Sequence, residues 1–189
     1  MISAASLKDR RVAAKKKGDA DLRETERMKA RLSRARDRRV PFHLTKDEFL
    51  EICRWKLGDQ YVRTARLLET NSERRVKRTT QLAFSVKDKD ADFELDARLT
   101  ILSLLPGVGI GVASAILGLC YPQRYAPLDA RAWEALFDER RVSLGPAEYR
   151  RYLGRLDELK AEVKALDPKG RWTAQLVSYY AAGRAELSG

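Results

Sequence analysis

The sequence is poor in the side chains on which most metal, redox and nucleophilic chemistry depends: two cysteines and one histidine in 189 residues. Cys53 and Cys120 each fall in an apolar helical pattern with no partner at metal-ligand spacing. They read as small core residues in a reducing compartment, not as a disulfide. His43 and two cysteines cannot assemble a zinc site, and His43, just ahead of a helix start, reads as boundary structure. The C-terminal region lacks the four-cysteine run that holds an iron-sulfur cluster, so neither a cluster nor a side-chain metal site is expected. No Gly-x-x-x-x-Gly-Lys-Ser/Thr loop is present, which disfavours nucleotide hydrolysis. The longest apolar stretch, Ile110 to Tyr121, is too short to span a bilayer, and the first residues form no apolar leader. The expectation is a cytoplasmic, soluble monomer with no membrane association.

Charge is abundant but uneven. The chain carries a formal net charge of +11, yet residues 1–40 hold 14 Lys/Arg against 6 Asp/Glu, a net +8. Residues 1–40 therefore read as a basic arm, helical or disordered, and 41–189 as the folded domain. Leu7, Val12, Leu22, Met28 and Leu32 make no sustained stripe in the arm, so little buried surface is expected there. Such an arm suits a phosphate backbone, and equally suits a solubilising extension. The rest of the chain is only mildly basic, so any phosphate contact must be local.

Helical signals follow one another through the domain. Thr45 and Glu48 form a capping box, with Leu44 and Phe49 as a hydrophobic staple, opening a helix from about Lys46 to Leu57 that Gly58 stops. Asp59 can cap a second helix to about Glu69, with Val62, Ala65 and Leu68 inward. Ser72 can cap a third to about Ser85, with Val76, Thr79, Leu82 and Ala83 inward. Leu95, Leu99, Leu102 and Leu105 mark a fourth, ending at Pro106. Gly145-Pro146 opens a long helix carrying Tyr149, Tyr152, Leu153, Leu156, Leu159, Val163 and Leu166, and a last helix carries Trp172, Leu176, Tyr179 and Tyr180. No segment alternates with period two, so the class is all-α, a compact helical domain around a central helix-hairpin-helix.

The stretch from Leu105 to Trp133 concentrates the functional signal. Pro106 breaks one helix, Gly107 and Gly109 permit a tight hairpin through Val108, and the next helix begins with unsatisfied amides at the turn. Backed by the positive end of a helix dipole, such amides hold a phosphate without a cationic side chain. Spacing alone leaves an ordinary helical hairpin equally open. Downstream, Leu128-Asp129-Ala130-Arg131 is a good N-cap.

Leu105-Pro106-Gly107-Val108-Gly109, the apolar run Ala113 to Leu119, the loop Tyr121 to Pro127 and Leu128 to Trp133 together resemble, in order and spacing, the helix-hairpin-helix DNA glycosylase superfamily. The likeness is greatest to its 8-oxoguanine DNA glycosylase-like branch, of which Arg54-Trp55-Lys56 is a looser echo. The resemblance implies DNA as partner, a role in base-excision DNA repair, and a nucleoid-associated location. It implies phosphate contacts from Pro106, Gly107, Val108, Gly109 and Gly111, joined by Arg124 and Arg131, and Asp129 as the essential carboxylate. That carboxylate would stabilise positive charge on the sugar as the N-glycosidic bond of a damaged or mispaired base is hydrolysed. Trp55, Lys56 and Tyr125 are the candidates for a base pocket. Trp133, Trp172, Tyr179 and Tyr180 could also serve as a platform, though aromatics at helical spacing usually pack. No cofactor is expected, beyond a monovalent cation that the hairpin carbonyls could hold. Arg74, Arg75, Lys77 and Arg78 could touch phosphates or be a solvated face.

One position departs from the family. Bifunctional members carry a lysine two residues after the second hairpin glycine, whose amine forms a Schiff base with the sugar; here Gly111 stands there. Hydrolysis without lysine lyase chemistry is therefore expected, and Lys56 could substitute only if the fold brings it close. The alternative is a helix-hairpin-helix module that binds DNA without catalysis.

Overall fold

The computed structural model describes residues 1–17, 19–141 and 143–183, with the side chains of Lys16 and Lys17 outside the description. Among the described residues every regular element is helical: α1 (Ala4–Lys17), α2 (Ala20–Arg38), α3 (Lys46–Leu57), α4 (Tyr61–Glu69), α5 (Glu73–Ser85), α6 (Ala91–Leu102), α7 (Ile110–Cys120), α8 (Ala130–Phe137), α9 (Pro146–Leu166) and α10 (Ala174–Ala181). The all-α class expected from the periodicity is what the chain adopts. No helix among the described residues is long and apolar enough to cross a membrane.

The helices group into two compact units, residues 31–116 and residues 1–30 with 117–189. This grouping cuts across the division expected at Val40-Pro41.

In the unit of residues 31–116, α3 starts as its sequence demands. Thr45 accepts the Glu48 amide and Glu48 returns a carboxylate oxygen to the Thr45 amide, while Leu44 and Phe49 are both fully buried. Gly58, at φ +51, ends the helix by donating its amide to the Arg54 carbonyl. A single 3-10 turn, Gly58–Gln60, then leads into α4, and Gln60 rather than Asp59 occupies the cap position without a side-chain bond. That turn winds more tightly than an α-helix, so a helical phase carried forward from Asp59 is lost. Val62, expected inward, is 81% exposed, and of the predicted stripe only Leu68 is fully buried. The face of α5 is likewise rotated: Val76, Thr80, Ala83 and Phe84 go in, while Leu82 stays 55% exposed. Phe84 takes the inward place because Phe42 waits for it, the rings stacked 5.0 Å apart. Thr80 joins the same layer, accepting the Leu44 amide and donating to the Val76 carbonyl. Leu95, Leu99, Leu102 and Leu105 are all buried as their spacing predicts, and a buried Glu94–Arg98 pair, 3.0 Å apart, braces the same helix.

In the other unit, α1 packs on α9 and α10, and α10 also packs on α8 and α9. The arm thus buries more than its composition promised: Leu7 and Ala14, seven residues apart on one face of α1, are buried, as is Met28 on α2. Its charges help to fix it. Lys8 donates to the last carbonyl of α9, at Leu166, and Arg10 to the Tyr180 and Ala181 carbonyls at the end of α10. Cations at helix C-termini complement the macrodipole and satisfy carbonyls that have no amide ahead of them. Arg11 lies over the Trp172 ring at 4.5 Å, Asp19 accepts the Tyr179 hydroxyl, and Lys29 reaches the Gln175 side chain. Leu166, expected inward, is 49% exposed at the end of α9, and Trp172 precedes α10 instead of lying on it.

Arg39 holds Glu48 through two bonds of 2.6 Å. Burial pushes the Glu48 carboxyl up, but the Arg39 guanidinium and the Thr45 amide outweigh it and keep the group below its ordinary value. A carboxylate so depressed stabilises the fold above its unfolded pKa and loses that contribution as pH falls through the folded one. Glu48→Gln, which keeps the capping geometry, should cost about 1–2 kcal/mol at neutral pH. The gap to wild type should close below about pH 4 in denaturant melts.

Candidate nucleic-acid interface

The hairpin between α6 and α7 is built within the unit of residues 31–116. After Leu102 the chain tightens, with the amides of Leu104 and Leu105 donating to Ile101 and Leu102, and Val108 donating to Leu105 at 2.9 Å. Gly107 sits at φ +82, and a Cβ there would lie 2.9 Å from Leu68 Cδ2 and 3.3 Å from Leu67 Cβ. Glycine is required twice over, by backbone angle and by the close approach to α4. Asn71, fully buried between α4 and α5, donates through one side-chain nitrogen to both the Leu68 carbonyl (2.8 Å) and the Pro106 carbonyl (2.9 Å). The hairpin is thus bolted to the α4–α5 turn. Nothing in the sequence pattern singled out Asn71; the only hint was an amide side chain in an otherwise helix-capping turn.

Gly109 is different. Its φ is not positive, and a Cβ there would meet nothing within 4 Å. Its carbonyl accepts the Val112 and Ala113 amides, which makes it the first bonded residue of α7. Ile110 and Gly111 follow in the first turn, where no helical carbonyl lies behind the amides. Among the expected phosphate contacts Pro106 and Gly107 are half-buried, Val108 is buried with its amide already used, and Gly109 is exposed. The grip narrows to the amides of Gly109 to Gly111. The hairpin carbonyls of Leu105, Pro106 and Gly109 all accept hydrogen bonds, so a monovalent cation would have to share those oxygens.

At Gly111 a Cβ would meet one atom within 4 Å, Lys56 Cε at 3.6 Å. The condition attached to Lys56 by the sequence is met: the last turn of α3 brings its side chain to the first turn of α7. Trp55 and Lys56 are both half-buried. Arg74, Arg75, Lys77 and Arg78 are exposed on α5, three of them lining an open groove with Glu73, Gln81 and Leu82.

The remaining candidates lie in the other unit. Asp129 is the N-cap of α8, its Oδ1 accepting the Arg131 amide at 2.9 Å and the Ala132 amide at 3.0 Å. The loop that delivers it is tightly held. A Cβ on Gly118 would come within 2.6 Å of Pro127, the Tyr149 hydroxyl donates to the Ala126 carbonyl at 2.8 Å, and Tyr152 contacts Ser178 at 2.6 Å. Arg124 is exposed and lies 5.2 Å over the Tyr125 ring, which is itself buried. Arg131 is exposed and borders a shallow groove with Arg10 and Glu134. Trp133, Trp172, Tyr179 and Tyr180 are core residues: Trp133 packs on Phe137 and Tyr152, Trp172 on Tyr180. Both cysteines are buried and unpaired, and burial pushes the Cys53 thiol up to about 12, far from a reactive thiolate.

These two glycines make opposite predictions. Gly107→Ala should cost about 2–4 kcal/mol, the sum of left-handed strain and overlap with Leu68. Gly109→Ala should cost under about 1 kcal/mol, the change in capping preference alone. Thermal or denaturant unfolding of the two variants tests this directly. Comparison with protein-family models, with curated proteins and with solved structures finds no match to this chain.

Proposed function

We propose that this protein binds DNA through the α6–α7 hairpin and hydrolyses the N-glycosidic bond of a damaged or mispaired base, in the manner of the helix-hairpin-helix DNA glycosylases it resembles. The observation that carries the reading is Gly109. The fold explains Gly107 completely but asks for no glycine at 109, and a residue without a side chain at an exposed helix start suits a backbone that a phosphate approaches closely. In the hydrolysis the C1′–N bond breaks with its electron pair leaving on the base nitrogen, and water adds to C1′ while releasing a proton. Asp129 offers negative charge to the cationic sugar or orients that water. Its capping bonds fix the carboxylate in one orientation, so cap and catalyst are compatible roles for it.

The second reading, a module that grips DNA without chemistry, is favoured by a specific feature: Oδ1 of Asp129 is already committed to two amides. The resemblance is the source of the catalytic assignment, and the hairpin geometry supports the grip under either reading.

Fluorescence anisotropy with duplex DNA across a salt series should show affinity falling linearly on logarithmic axes, by about 0.9 per phosphate contact. Gly109→Ala should weaken binding several-fold in a stably folded protein. Absence of binding, or binding indifferent to salt, refutes the grip. On a panel of lesion duplexes, alkali-revealed base loss should vanish in Asp129→Asn, which retains an N-cap acceptor and so melts like wild type. Binding without base loss across the panel selects the non-catalytic module.

A further inference from the structure

The family position for a nucleophilic lysine is empty at Gly111, but the space beside it is not. The only atom within 4 Å of a Cβ at that position is Lys56 Cε, at 3.6 Å. One further C–N bond of about 1.5 Å carries the Lys56 amine to within about 5 Å of where that Cβ would stand. A lysine rooted at 111 would swing its own amine through the same neighbourhood. The chain thus presents an amine at the start of α7 from a different helix, since Lys56 belongs to the last turn of α3. Its stem is half-buried, which restricts its reach. The two helices are joined by a rigid course of packed elements, with α3 against α4 and the hairpin seated on α4 through Gly107 and Asn71. The amine and the phosphate-facing amides of Gly109 to Gly111 are therefore held by one framework.

We propose that Lys56 acts on abasic DNA as a Schiff-base amine, giving the protein a lyase activity separate from base removal. The inference rests on the DNA-binding reading of the hairpin. In its ring-opened form an abasic deoxyribose exposes a C1′ aldehyde. The Lys56 nitrogen lone pair forms a bond to C1′, and the carbonyl oxygen leaves as water, producing the imine. Loss of a C2′ proton to water then expels the 3′-phosphate oxygen, breaking the C3′–O bond. Addition of water to the imine releases the unsaturated sugar and restores the amine. No oxidant, reductant or metal enters the balance.

The test uses the full chain and a preformed abasic duplex, so that base removal is not needed. Borohydride should trap a covalent adduct, and peptide mapping should place it on Lys56. Lys56→Ala and Lys56→Arg should both lose the adduct and the strand cleavage, while Lys56→Arg keeps its affinity for the same duplex by anisotropy. That split separates an imine-forming amine from a cation that merely holds phosphate, which arginine would replace. In Lys56→Ala/Gly111→Lys the adduct should return, now mapped to residue 111. Binding with no adduct, or an adduct that persists in Lys56→Arg on another residue, overturns the proposal while leaving the grip intact. Failure to bind the abasic duplex overturns the grip and the lyase proposal together.

Discussion

The seating of Gly107 against Leu68, with Asn71 holding the Pro106 carbonyl, is the constraint on which the proposed chemistry depends. It fixes a hairpin that would otherwise be a mobile turn, and it does so with buried groups whose replacement is costly: an amide with a bond to each of two carbonyls and a glycine with no room for a methyl. Because the bolt lies under the hairpin, its outer edge is left to Gly109 and the first turn of α7. Backbone amides rather than side chains then supply the anion site, which agrees with a unit whose net charge is modest. Rigid donors aimed outward lose little freedom on binding, so a grip of this kind needs few contacts to be specific in position.

The same framework explains why an amine on α3 can serve α7. Helices α3 and α4 are consecutive and packed, α4 carries the hairpin, and Lys56 reaches Gly111 across that short circuit. A lysine can occupy a functional position from either helix, because the chemistry requires a located nitrogen and not a particular backbone origin. The basic arm carries a parallel lesson. Lys8, Arg10 and Arg11 are spent on helix ends and an aromatic face, so part of the chain's positive charge is structural. A high net charge is thus weak evidence for nucleic-acid binding compared with the placement of a few amides.

What could be read in the sequence was what is decided locally. The Thr45–Glu48 box, the Gly58 stop, the Asp129 cap and the leucine stripe of α6 all depend on residues within one or two turns of each other. What could not be read depends on partners distant in the chain. Val62 and Leu82 face outward because a 3-10 turn shifts one helix and a waiting Phe42 rotates another. Leu7 and Met28 looked too sparse to pack, yet helices over a hundred residues away supply the surface α1 needs. Asn71 carries no motif at all, since its importance lies in a carbonyl 35 residues onward. Gly111 was legible as a missing lysine, whereas the compensating Lys56 became visible only when α3 and α7 were placed side by side.

The central claim is that the amides of Gly109, Ile110 and Gly111 are the anion site. Nitrogen–proton NMR during titration with a short duplex tests it amide by amide. Those three resonances should move together and saturably, with the shift reversed by added salt, while the Gly58 amide, committed to the Arg54 carbonyl, stays in place. If the hairpin amides remain fixed while resonances on the basic face of α5 move, the grip lies elsewhere and the account fails.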